Sequence, residues 1–332
     1  MKKLAFLSLA VLTFGAFAAE PKIPAESQAV LFLDLAKSLA LPAFKDVAVP
    51  DEPFAPGMPK LKDVKWALLT ADKVVIPPPN AKSYALPSLA LAVSGTFDAK
   101  AALEASVKSE GPDGIKLTPL AGLPFPAWSI PVDQLPAAAE QEELKKITNL
   151  KPCVGAVAKD VVVLAVNPET LKAQGSLFGG KVTGGDFKKA MPACCLGLKV
   201  SGVDALIAAG EAEAKKVGKP ADPTSELFKG LKVVRFTVDA GEGATLKLKL
   251  AGACKDDQSA QGLETGLGMF TMLVKEAVKG LKVSRKGKIV SVSGEVNPQE
   301  LIGMVQMSMM GGQGMMATPP AAAAECSCAS SF

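Results

Sequence analysis

The chain alternates short apolar runs of strand length with segments whose apolar residues recur at helical spacing. Ala29–Leu35 predicts a strand, and Ala36–Val47 a short amphipathic helix interrupted at Pro42. After the proline-rich loop Asp51–Lys62, Lys65–Ala71 and Leu86–Ser94 read as paired strands. Between them lie Pro77, Pro78 and Pro79, which cannot donate to a ladder. Asp98 caps the helix Ala99–Lys108, with Leu103 and Val107 one turn apart on its buried side. Val154–Val163 turns over at Ala158-Lys159-Asp160 as a hairpin, and Asn167 then caps a helix whose first residue is Pro168.

The same succession returns in the second half of the chain. Ala193–Val200 predicts a strand, and Ser201 caps the helix Val203–Val217, which Gly218 and Pro220 end. Lys232–Asp239 and Thr245–Ala251 form a hairpin through Ala240–Gly243. Gln261–Val278 is the longest predicted helix, with Leu263, Leu267, Phe270 and Val274 on its core side. Gly262, Gly266 and Gly268 would let that helix approach a sheet closely. A last hairpin, Leu281–Val292, leads to a second helix start at Asn297-Pro298.

The offsets between these copies point to an internal duplication. Leu33-Asp34-Leu35 matches Leu198-Lys199-Val200 at 165 residues, and Trp66–Asp72 matches Val233–Asp239 at 167. Leu89–Gly95 matches Leu246–Gly252 at 157, and the Asn-Pro starts match at 130. The last drop reflects an insertion in the first copy, Leu117–Leu150, with a predicted helix Ala137–Ile147. The expected fold class is α+β: two similar β-α-β-β-α-β-β-α halves with mainly antiparallel sheets and helices packed on one face. The halves span residues 19–178 and 190–310, joined by a linker at 179–189. Residues 311–332 form a low-complexity tail, expected to stay flexible.

The first eighteen residues change the picture of where the protein works. Lys2-Lys3, the apolar run Leu4–Phe14 and the small-x-small site Ala16-Phe17-Ala18 predict a secretory signal cleaved before Ala19. That apolar run is too short to span a membrane, and no transmembrane segment is expected in the mature chain. The expected location is periplasmic or secreted.

Charge and composition then remove function classes. The net charge of +4 falls to +2 once Lys2 and Lys3 leave, and Arg235 and Arg285 are the only arginines. With one Tyr and two Trp besides, nucleic acid is not an expected partner. The sequence has no histidine, which takes away the commonest general base and the commonest transition-metal ligand. No nucleophile motif or phosphate-cradling glycine loop occurs, and the carboxylate pairs Asp256-Asp257 and Glu142-Glu143 read as a helix start and a charged helix face. The chain is therefore expected not to be an enzyme and to need no cofactor.

Six cysteines remain. In an exported chain they read first as disulfides, with Cys153, Cys194, Cys195 and Cys254 as candidates and Cys153 preferred with Cys194 or Cys195. The tail carries soft donors, Met307, Met309, Met310, Met315, Met316, Cys326 and Cys328, a set that suits Cu(I) and makes metal handling the alternative reading. The leading expectation is a non-catalytic binding, carrier or scaffold protein of the bacterial cell envelope. Its partner would be an apolar ligand, a peptide or an envelope protein, held in a groove formed if the two halves face each other.

Overall fold

A computed structural model of the chain describes residues 19–44, 59–73, 81–108, 117–132, 144–180, 184, 187, 191, 194–216, 218, 225–274 and 278–298. The predicted signal, the second Asn-Pro helix beyond Pro298 and the tail lie outside the described residues. So do most of the linker and most of the predicted helix Ala137–Ile147.

The first half contains β1 (Ala29–Asp34), α1 (Leu35–Leu39), β2 (Val64–Ala71), β3 (Leu89–Gly95) and α2 (Ala99–Lys108). It continues with the short strands β4 (Thr118–Pro119) and β5 (Ala127–Ser129), then β6 (Cys153–Ala158), β7 (Val161–Ala165) and α3 (Pro168–Phe178). The second half contains β8 (Leu196–Ser201), α4 (Val203–Lys216), α5 (Ser225–Phe228), β9 (Leu231–Ala240) and β10 (Leu246–Cys254). It ends with α6 (Asp257–Val274), β11 (Lys279–Lys286) and β12 (Ile289–Val296).

Side-chain caps hold these elements in place; those at Asp98 and Asn167 follow the sequence expectation, and that at Asp34 was not anticipated. Asp34 Oδ1 accepts from Lys37 N–H at 2.8 Å and starts α1, which gives way to a 3-10 turn at Pro42–Phe44 because proline cannot continue the helix. Asp98 Oδ1 accepts from Ala101 N–H at 2.8 Å, and Asn167 Oδ1 from Thr170 N–H at 2.9 Å. Each satisfies a backbone donor that the first helical turn would leave unpaired.

All twelve strands form one antiparallel sheet, in the order β11-β12-β10-β9-β8-β1-β2-β3-β7-β6-β5-β4. The halves therefore do not face each other. They lie side by side, joined where β1 pairs with β8 and Phe32 stands opposite Gly197. Chain from the first half also reaches past this seam, because Leu41 and Phe44 pack with Cys195, Leu246 and Val296.

The helices do not share one face of the sheet. Leu103 of α2 packs with Val154 and Val162, whereas Leu171 of α3 packs with Cys153, Val161 and Val163 on the opposite side. The cause is visible in β6 and β7, whose residues are buried on both faces and so need a layer on each. Among the described residues of the second half, α6 lies on one face of the sheet. Phe236, Leu250 and Val292 point to the face of α6, while Lys199, Arg235 and Lys249 occupy the other.

Candidate apolar ligand site

Residues directly opposite one another in neighbouring strands point to the same side of a sheet. The register sets one apolar side chain from every strand in a single row: Pro119, Trp128, Val154, Leu164, Leu91, Leu69, Leu31, Leu198, Phe236, Leu250, Val292 and Val283. At the first-half end α2 covers this row, and Trp128 and Val154 are buried. At its centre the cover thins, and Leu31 is 38% exposed although it lies in the middle of the sheet.

Two recesses open along the row. The first, about 210 Å³, is floored by Leu31, Leu33, Leu69, Leu91 and Leu196 and walled by Pro59 and Leu61. The second, about 530 Å³, lies between the sheet and α6. Leu263 and Leu267 of α6 and Leu227 and Phe228 of α5 form its roof, and Phe236, Leu248, Leu250 and Val292 its floor. Its size falls in the range of small-molecule sites.

Two glycines shape the second recess. A Cβ on Gly266 would come within 2.8 Å of Leu227 Cδ2, so the missing side chain lets α5 close against α6. A Cβ on Gly294 would overlap Val278 Cγ1, so this position of β12 keeps the floor shallow. Among the described residues no charged side chain lines either recess, and the hydroxyl of Thr271 is satisfied by donating to Gly268 O at 2.7 Å. Such a surface can hold a hydrocarbon chain, each buried CH₂ contributing about 0.8 kcal/mol.

The residues singled out in the sequence sit elsewhere. Cys153, Cys194, Cys195 and Cys254 are all buried and free, so the expected disulfides among them are not formed. Cys153 and Cys194 share one core cluster, while Cys195 and Cys254 each belong to another. Burial, with Glu169 nearby, pushes the Cys153 thiol up to about 12, and burial with the Asp239 contact pushes Cys195 up to about 11. Thiols held so high are neutral and poor nucleophiles. The soft donors Met307, Met309, Met310, Met315, Met316, Cys326 and Cys328 lie outside the described residues, as does Glu142-Glu143.

One polar constellation was not anticipated. Lys37 Nζ lies 2.7 Å from Asp239 Oδ1, and Cys195 Sγ donates to the same oxygen at 3.5 Å. Burial is the largest influence and opposes charge on both Lys37 and Asp239, but their hydrogen bond and mutual charge attraction, with the further hydrogen bonds to Asp239, together outweigh it, raising the amine and lowering the carboxyl. This is a settled ion pair that ties α1 to β9, without a free base. Asp256 does what its position suggested, accepting from Ser259 N–H at 2.7 Å where α6 begins.

Sequence reasoning missed the recess under α6. Its clearest trace was the apolar pair Leu227-Phe228, isolated between Pro223 and Gly230. Among the described residues no group of three or more His, Cys, Asp or Glu is placed to hold a metal ion, and no helix is long and apolar enough to cross a membrane. No protein-family model, curated protein or solved structure matches this chain.

Proposed function

We propose that the chain is an exported, non-catalytic carrier of an apolar ligand, an acyl chain in the first instance, bound on the open sheet face beneath α6. The observation that carries this reading is the uncharged 530 Å³ recess continuous with the apolar row across β9, β8 and β1. A protein with no such ligand would leave Leu31 and Phe236 facing water at a cost of about 25 cal/mol for each Å² of apolar surface.

The sheet is built from two related units in the same reading. Strands run β1-β2-β3-β7-β6 outward on one side of the seam and β8-β9-β10-β12-β11 on the other, and Phe32 pairs with Gly197, its counterpart at 165 residues. Ladder register supports a revised match for one strand: Leu68 stands opposite Phe32 and Thr237 opposite Gly197, so Leu68 corresponds to Thr237, two residues beyond the sequence match.

The test is displacement of a fluorescent acyl probe from the mature protein, with Leu267→Trp as the comparison. An indole at position 267 fills the recess from α6, and binding is expected to weaken about 10-fold while the fold is retained. A mature protein that binds no probe, or a Leu267→Trp variant that binds it equally well, overturns the proposal.

A further inference from the structure

Ala19, which follows the predicted cleavage site, is held through its nitrogen, its carbonyl oxygen and its methyl group. Ala19 N–H donates to Asp160 Oδ2 at 2.6 Å, and Trp66 Nε1–H donates to Ala19 O at 2.9 Å. Its methyl group packs on the core cluster that contains Trp66. Ser94 Oγ–H donates to the same Asp160 oxygen at 3.3 Å, and Ser94 is fully buried.

Backbone hydrogen bonds tie the socket to its neighbours. Asp160 sits in the tight turn between β6 and β7, and Ala99 N–H, the first residue of α2, donates to Lys159 O at 2.8 Å. Gly95 N–H approaches Asp160 O at 3.4 Å. Among the described residues no lysine or arginine ion-pairs with Asp160, so its carboxylate faces Ala19 without a cation.

Two independent observations meet at this residue. The sequence predicts cleavage of the Ala18–Ala19 bond, and the structure gathers a carboxylate, an indole N–H and a hydrophobic seat around the nitrogen, carbonyl and methyl of Ala19. We propose that cleavage after Ala18 frees the α-amine of Ala19 as an ammonium that seats on Asp160, so that the mature fold is completed by its own new N-terminus.

The covalent step is amide hydrolysis by a protease of the signal-peptide-cleaving class. Water supplies hydroxyl to the Ala18 carbonyl carbon and a proton to the Ala19 nitrogen, the C–N bond breaks, and the leader departs with the new carboxylate. The freed amine takes up a proton from solvent near neutral pH, its usual pKa being about 7.7–8.0. A single neutral N–H donor thereby becomes a charged group with three, and its bond to a carboxylate is about twice as strong as a neutral one.

This inference rests on the export reading above, and the experiment separates the two. The full gene is expressed through its own secretory route and the N-terminus of the product is read by mass spectrometry. The thermal midpoint is then compared for the mature chain and Asp160→Asn, each also prepared with a Gly-Ser extension ahead of Ala19. The expected product begins at Ala19, and Asp160→Asn lowers its midpoint by about 3–8 °C while changing the extended chain by less than about 2 °C. An intact leader overturns both the export reading and this inference. A product that begins elsewhere, or an equal loss in the two backgrounds, overturns this inference alone.

Discussion

Lys37 and Asp239 join the first half to the second through a 2.7 Å ion pair whose side chains are 38% and 36% exposed. At that exposure solvent screens the pair, and its contribution is about 0.5–1 kcal/mol. Asp239 is held below its ordinary value: burial opposes most strongly, but the hydrogen bonds from Lys37, Ala240 N–H and Cys195 and the Lys37 charge together prevail. A depressed carboxyl stabilises the fold above its unfolded pKa of about 3.9, and the contribution is lost as pH falls through the lower folded value. The wild-type protein is therefore expected to be more stable than Asp239→Asn at pH 6, and the two are expected to converge by about pH 2. Chemical denaturation across that range checks it, and a constant gap would assign the effect to packing. At the same scale the cysteines show what sequence leaves out: an even count in an exported chain suggests bridges, but only the fold separates Cys195 and Cys254 into different clusters.

Helix α6 shows how an element can be read correctly in period and incorrectly in detail. Leu263 and Leu267 face the core as their spacing predicts. Its glycines do not serve the sheet: Gly266 makes room for Leu227, and a Cβ on Gly262 or Gly268 would meet nothing within 4 Å. Neither Gly262 nor Gly268 has a positive φ, so each carries only the entropic cost of glycine in a helix. Gly262→Ala and Gly268→Ala are each expected to stabilise the protein by about 0.5–1 kcal/mol, whereas Gly266→Ala destabilises it. Urea midpoints of the three variants decide this, and a loss in either of the first two would mean that the outer side of α6 is covered. The caps at Asp98 and Asn167 were legible, since each acts within three residues of itself. The side of the sheet on which each helix lands was not, because it depends on partners more than a hundred residues away, as with Gln174 and Thr70.

The whole molecule departs most from the sequence reading in how its halves meet. Alternating apolar runs made the mixed α and β character legible, yet nothing in a strand's own residues says whether its free edge will pair with a distant strand or its face will pack on one. Leu31, Leu33, Leu196 and Leu198 suit either arrangement, and the edge pairing of β1 with β8 leaves them lining an open face. Continuity of the sheet implies that the halves unfold together, and Leu41 tests it. This residue follows α1 in the first half but is buried against Leu246 and Val296 in the second. Trp66 and Trp128 both lie in the first half, so their fluorescence reports on that half, while far-UV circular dichroism reports on every strand. Leu41→Ala is expected to cost about 2–5 kcal/mol and to shift the fluorescence and dichroism transitions by the same amount. If the mutation moved only the dichroism transition, the second half would be melting alone, and the β1–β8 ladder would be a contact between two independent units rather than the centre of one sheet.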